Sequence, residues 1–324
     1  MSPINTMPYQ SQSPILFIIF NRSDTALKVM DEIRKAKPAR LYITADAFRP
    51  ERPEEEGLCD ETKTSIMAAI DWECEVKTLF RTQNLGPKEA IASAIDWFFE
   101  HEDEGIILEH DCLPAKSFFY FCDTLLEKYR NDQRIWLISG CNFQKGKKWG
   151  SGTYYFSNLT HAWGWATWKS SWNEYDKDLS RYEASDIRVQ LEKIFNNSMV
   201  VDQWVYLFEQ TKCGNIDTWD YQVAFAHMFN QSVTIIPNVN LVSNIGFGEK
   251  AENTTDINSM FANIPLEEIT EIKHPKYLLP EKEADMNLLM EDFKIEEKLR
   301  FIKRHNLKRR RFKRWLKSLF SPKN

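Results

Sequence analysis

The first 130 residues alternate between short strand-like runs and segments of helical periodicity, and this alternation limits the possible folds more than any other feature. The runs fall at 15–20, 41–45, 75–80 and 106–108, and the intervening segments at 23–36, 61–70, 88–100 and 115–129. Ala26, Leu27, Met30 and Ile33 lie on one helical face, as do Ile91, Ala94, Ile95 and Phe98. Pro38 ends the first helix, and 50–59 reads as a charged loop. A βαβαβαβ order of this kind builds a largely parallel sheet with helices on its faces. Runs 15–20 and 106–108 are apolar throughout, as strands buried on both faces must be.

Polar residues follow every one of these strands: Asn21 and Arg22, then Asp46 with Arg49 beyond it, then Arg81, then Glu109 and Asp111. In open α/β sheets, ligands bind at the carboxyl ends of the strands. Ligand-capable groups at all four ends therefore fit a nucleotide cleft, although a polar turn after a strand is also ordinary loop chemistry. The stretch Gly105–Pro114 concentrates the signal, because an apolar strand turns abruptly acidic. Hard carboxylate oxygens suit Mg²⁺ or Mn²⁺, and such an ion suits a diphosphate. The chain has no Gly-x-Gly-x-x-Gly after the first strand and no phosphate loop ending in Gly-Lys-Ser/Thr. This argues against dinucleotide dehydrogenases and P-loop NTPases.

The second half continues with strands at 135–139, 154–156 (at the sheet's edge) and 232–236, and with helices at 185–195, 201–210 and 221–229. Residues 252–280 read as irregular and 283–303 as a helix. Trp163, Trp165 and Trp168 surround Gly164. They form either a packed wall or a face that stacks a sugar ring. Asp217 and Asp220 precede the helix at 221–229. Transfer to a hydroxyl needs a carboxylate to take the proton if configuration inverts, because the hydroxyl is a weak nucleophile. Asp220 is the first candidate base and Asp217 its rival, although either serves equally well as an N-cap. His161 fits a packed residue better than a ligand. Asn244 and Gly246 sit in a glycine-bearing loop expected to lie over the site.

The order of these residues resembles bacterial GT-A-type glycosyltransferases, in particular the nucleotide-diphospho-sugar transferase group often labelled hemolytic protein HlpA-like. The resemblance is carried by Phe20-Asn21-Arg22, Asp46 and Arg49, Asn84-Leu85-Gly86, Gly105–Pro114, His161–Trp168, Asp217–Gln222 and Ile236–Gly248, over about residues 14–255. It implies a Rossmann-like mixed α/β sheet, mostly parallel, with helices on both faces and a C-terminal helical tail. Residues 14–145 would be the nucleotide-sugar half and 146–255 the acceptor half of one domain, followed by a segment and tail at 256–324. Asp111 maps onto the metal ligand, and Glu109 onto the ribose or nucleotide side. The donor-binding set becomes Asn21, Arg22, Asp46, Arg49, Gly86, Lys88, Glu109 and His110, with Trp163, Trp165, Asn244 and Gly246 toward sugar or acceptor. His110 departs from the usual Glu-Asp-Asp turn. A neutral imidazole there favours Mn²⁺ over Mg²⁺ if the ring points at the ion.

The function implied is a metal-dependent glycosyltransferase, placed in bacterial surface glycan synthesis, that takes a nucleoside-diphosphate sugar donor and a glycan or lipid-linked acceptor. The alternative is a catalytically inactive protein that binds sugar nucleotides or glycans; a glycosidase, which needs two facing carboxylates but no nucleotide pocket, is a weaker third. Six cysteines without a Cys-x-x-Cys pair read as reduced thiols of a cytoplasmic protein. The first apolar run is far too short to span a bilayer. Residues 294–324 carry 13 Lys/Arg against two Glu, so the tail is +11 and the rest of the chain −16. An acidic body argues against nucleic acid as a partner. Within 308–320, Phe312, Trp315, Leu316, Leu319 and Phe320 form one helical stripe among basic residues. That pattern suits an anionic membrane surface, or packing on the chain's own acidic body.

Overall fold

The alternating strands and helices expected from the sequence assemble around a single large sheet. The computed structural model describes residues 9–248, 256, 259–295, 297 and 300. The chain runs through β1 (Ile15–Ile19), α1 (Ser23–Ala36), β2 (Arg40–Ala45), α2 (Glu55–Ala68), β3 (Glu75–Phe80), α3 (Gly86–His101), β4 (Glu104–Glu109), β5 (Cys112–Pro114) and α4 (Lys116–Tyr129). It continues through β6 (Ile135–Ser139), β7 (Tyr154–Ser157), β8 (Trp165–Trp168), α5 (Lys169–Trp172), α6 (Ala184–Ile194), α7 (Ser198–Lys212), α8 (Asp220–Phe229), β9 (Val233–Pro237), β10 (Val242–Asn244) and α9 (Lys282–Asp292). Eight strands form one sheet in the order β3-β2-β1-β4-β8-β6-β9-β7. β8 runs antiparallel to both β4 and β6, and β7 antiparallel to β9. The other six strands share one direction, so the sheet is mixed and mostly parallel.

Side chains alternate across each strand because the period is two, and here both faces are covered. Ile15, Phe17 and Ile19 join Leu41, Ile43, Ile106 and Leu108 under α1 and α4. Leu16, Ile18, Tyr42 and Ile107 face the other way, into Ile95, Phe98 and Phe99 of α3 and Val223 and Ala226 of α8. Both sets are 9 % exposed or less. Burying a residue of this size contributes about 1.5–3 kcal/mol. A separate core joins α6, α7 and α8 to Leu288 and Leu289 of α9.

Three features depart from the sequence expectation. α2 begins at Glu55, inside the expected loop at 50–59, where Glu55 and Glu56 complement the positive end of the helix. Glu55 also pairs there with Arg49. The tryptophan motif supplies a strand, β8, wedged between β4 and β6. Gly164 just before it adopts φ 65°, and a Cβ there would lie 2.7 Å from Val242 Cγ2, so the backbone approach admits only glycine. Finally, β5 and β10 pair as a small antiparallel ladder, Cys112 opposite Asn244. Of the helix expected at 283–303, α9 takes Lys282–Asp292 and a turn follows at Phe293 and Lys294; residues 301–303 lie outside the described residues. The amphipathic stretch at 308–320 lies outside the described residues.

Candidate functional site

The carboxyl ends of β1, β2 and β4 open onto a cleft of about 400 Å³. Its polar wall comprises Arg22, Thr44, Asp46, Arg49, Asn84, Glu109, His110, Asp111, Asp217 and Asn244, together with the backbone of Gly86 and Gly246. Ile18, Ile19, Phe20, Pro87, Ala90, Ile91 and Trp163 supply the apolar part. Parallel neighbours bring these residues together. β1 lies between β2 and β4, so the turns after β2 and β4 are two strand spacings apart, about 10 Å.

Asp46 is held from within. Its carboxylate accepts hydrogen bonds from the backbone N–H of Ala47 at 2.9 Å, Leu85 at 2.9 Å and Gly86 at 3.1 Å, and from Asn84 Nδ2 at 3.1 Å. It thus satisfies donors at the start of α3, where none could be found within the helix itself. Burial pushes its pKa up, against the lowering effect of those bonds. Arg49 pairs with Glu55 and lies 5.5 Å from the centre of the Phe20 ring.

The turn after β4 differs. Glu109 ends the strand; surrounding protein first, then the charges of Asp111 and Asp220, push its carboxyl well above the usual range. Among the described residues, Asp111 accepts a hydrogen bond only from the Cys112 thiol, at 3.5 Å. Its backbone carbonyl accepts from Ile245 N–H at 2.8 Å, which ties the turn to the segment after β10. Arg22, just before α1, reaches across to donate from Nη1 to the Gly246 carbonyl at 2.8 Å. Its Nε is buried, lies 3.9 Å from Asp24 Oδ1 and has no hydrogen-bond partner among the described residues.

Asp217 forms the opposite wall, close enough to α3 that a Cβ on Gly86 would lie 3.5 Å from Asp217 Oδ2. Asp220 does not line the cleft. It is exposed at the start of α8, where Oδ1 accepts from Thr218 Oγ1 and from Tyr221 N–H at 2.9 Å. Trp163 lines the cleft, with the rings of Phe143, Phe247 and Phe261 set edge-on to it at 5.5, 5.8 and 6.3 Å. Trp165, two residues on, is fully buried and stacks on Trp219 at 5.8 Å. Trp163 lies before β8, and Gly164 at φ 65° turns the chain between the two rings, so Trp165 enters the core; this departs from the expectation that both tryptophans meet a sugar.

Two further expected residues stand apart from the cleft. Lys88 instead pairs with Asp178 at 3.1 Å, and Asn21 is not among the lining residues. Conversely, Thr44, Pro87, Ala90 and Ile91 line the cleft but were not in the expected set. Thr44 sits inside a strand, and the others lie in the first turns of α3, so the sequence marks them only as packing positions.

No family model matches the sequence, and no curated protein matches it. Among solved structures, the chain is similar to the UTP-bound UGPase from Acinetobacter baumannii, with 8 % identity and a TM-score of 0.35 over 70 % of this chain and 85 % of that one. It is also similar to 4-diphosphocytidyl-2C-methyl-D-erythritol synthase from Anaerococcus prevotii, with 9 % identity and a TM-score of 0.34 over 68 % of this chain and 99 % of that one. HddC from Yersinia pseudotuberculosis gives 12 % identity and a TM-score of 0.30 over 49 % and 78 %. Likeness at these levels carries no argument, so the fold and the site rest on the chain's own geometry.

Proposed function

We propose that this chain is a glycosyltransferase that moves a sugar from a nucleoside-diphosphate sugar to an acceptor hydroxyl. One observation carries the reading: a single cleft at the carboxyl ends of adjacent strands holds the Glu109/Asp111 turn, the Arg22 guanidinium and the facing Asp217. About 10 Å between the β2 and β4 turns matches the span from a nucleoside to its diphosphate. The Arg22 Nε, buried, without a hydrogen-bond partner among the described residues and 3.9 Å from Asp24 Oδ1, is suited to a phosphate oxygen.

The residues present fit a divalent ion. Mg²⁺ and Mn²⁺ are commonly held by one or two carboxylates plus substrate phosphates. Asp111, open to the cleft with no N–H donor engaged among the described residues, supplies such a carboxylate. Among the described residues there is no group of three or more His, Cys, Asp or Glu able to hold a metal, so phosphate and water oxygens would complete the shell. When bound, the ion offsets charge on the departing diphosphate. Asp217, rather than Asp220, takes the acceptor proton in this reading, because it is the one that faces the cleft. Trp163 provides an apolar face for a sugar ring.

The test is thermal denaturation with UDP, GDP, CDP and ADP, each with Mn²⁺ and with a chelator. A ligand at 100 times its Kd stabilises by about 2.7 kcal/mol, or roughly 5 °C for a domain of this size. No metal-dependent shift with any of the four overturns the reading. Release of free sugar from a bound donor separates an enzyme from an inactive binding protein.

The basic tail extends the proposal to a lipid-linked acceptor at an anionic surface. Each Lys or Arg near such a surface contributes about 1 kcal/mol. Salt-sensitive co-sedimentation with anionic vesicles, lost in a chain ending at Pro280, is the expected result; equal binding by both chains removes this part.

A further inference from the structure

Asp111 sits on a turn with few bonds of its own, yet its carboxylate is closely confined. The confining surface is the backbone of Gly246. A Cβ built on Gly246 would stand 2.1 Å from Asp111 Oδ2 and 2.8 Å from both its Cβ and its Cγ. No side chain fits between them, so the glycine backbone forms the wall against which the carboxylate rests.

That wall is itself fixed on both sides. The Gly246 N–H donates to Asn244 Oδ1 at 2.8 Å, and the Gly246 carbonyl accepts from Arg22 Nη1 at 2.8 Å. Asn244 is the last residue of β10, paired with Cys112, the residue after Asp111. Ile245 N–H closes the ring onto the Asp111 carbonyl at 2.8 Å. Arg22 comes from the end of β1, the strand beside β4. The side chain is only 14 % exposed, so the tether is largely shielded from water.

We infer that Arg22 and Gly246 are positioning residues that act through Asp111, setting the direction in which its carboxylate meets an incoming metal–diphosphate. The inference rests on the metal-dependent donor binding proposed above. It assigns Gly246 a role other than touching donor or acceptor: its small size and its tether shape the carboxylate's site. Partners that orient a metal ligand typically change metal affinity by about 10–100-fold when altered. Gly246 does not occupy the left-handed region, so alanine adds a collision with Asp111 without adding backbone strain.

The experiment uses the full chain and whichever of UDP, GDP, CDP and ADP binds it best. Affinity is measured by calorimetry with Mn²⁺ and with EDTA, and the ratio of the two is the metal gain. Gly246→Ala is expected to shrink the metal gain about ten-fold or more while EDTA affinity moves less than about two-fold. A role in general stability, or a direct contact with the nucleotide, would lower both affinities together and so overturn the inference. Asn244→Ala, which removes the acceptor of the Gly246 N–H and leaves the Arg22 guanidinium in place, carries the same test should Gly246→Ala not fold. An undiminished metal gain in the variant tested also overturns it. A wild-type chain with no metal gain overturns the donor reading and this inference with it, whereas a gain that the variant keeps overturns this inference alone.

Discussion

Asp46 and Asp111 occupy matching places: each follows a parallel strand, the two strands flank β1, and both residues line the same cleft. Their internal chemistry is opposite. Asp46 accepts from three backbone N–H groups and the Asn84 amide, so its charge is used to close the start of α3. Among the described residues Asp111 accepts only from a thiol at 3.5 Å, and its oxygens remain open to the cleft. Residue type and topological position nominate a ligand group. The count of donors already aimed at it separates a carboxylate that builds the cleft from one that serves a ligand.

The contrast is tested most strongly at the opposite wall, where Asp217 faces the cleft and Asp220 is used at the start of α8. Asp217→Asn is expected to lower turnover by about 10²–10⁴-fold, the usual contribution of a general base. Donor affinity should barely change, because the base acts on the transition state. Asp220→Asn should leave turnover nearly intact, costing about 1 kcal/mol of stability or less as a weakened helix start. Equal damage from Asp220→Asn would return the base to that residue and break the rule that internal bonding decides the role.

Next in size is the pair itself. Asp111→Asn should weaken metal-dependent nucleotide binding by about 100-fold with an unchanged melting temperature. Asp46→Ala should do the reverse. Stranding the donors of Leu85, Gly86 and Asn84 costs about 3 kcal/mol, which a melt reads as a fall of roughly 6–10 °C. Nucleotide affinity should follow only in so far as α3 shifts. If Asp46→Ala left the melt unchanged and abolished binding, the two aspartates would have the same job.

Much of this architecture could be read from the chain. The runs of β1, β2, β4 and β6 were visible because buried parallel strands are apolar, β3 at the sheet's edge only as a strand-like run, and the helices showed their 3.6-residue periodicity. β8 was hidden because Trp165–Trp168 is four residues long and buried at every position, so no alternation marks it; it is a strand only because β4 and β6 lie on either side. The three-residue β5 and β10 are shorter still. At the site, the polar strand ends were legible, but their saturation was not. Asp46 is bonded to residues about 40 positions away. Lys88 pairs with Asp178, 90 positions on. Trp163 and Trp165 are alike in sequence, and only the turn at Gly164 and the start of β8 after it separate a ring in the cleft from one in the core.

The smallest expected effect concerns His110, which lines the cleft between Glu109 and Asp111. Asp111 would supply the charged oxygen in either case, so altering His110 should change the choice of ion more than the strength of binding. Imidazole nitrogen is a softer ligand than carboxylate and suits Mn²⁺ better than Mg²⁺. A third carboxylate at this turn would add a hard oxygen and, next to Glu109 and Asp111, more negative charge for a cation to offset. His110→Asp is therefore expected to shift the ratio of nucleotide affinity in Mn²⁺ to that in Mg²⁺ by about three- to ten-fold toward Mg²⁺, or roughly 1 kcal/mol. Calorimetry with each ion and the same nucleoside diphosphate measures it. A ratio that does not move would mean that the imidazole never meets the ion. His110 would then join Asp46 as a residue of the cleft wall, and Asp111 would be the turn's sole ligand for the metal.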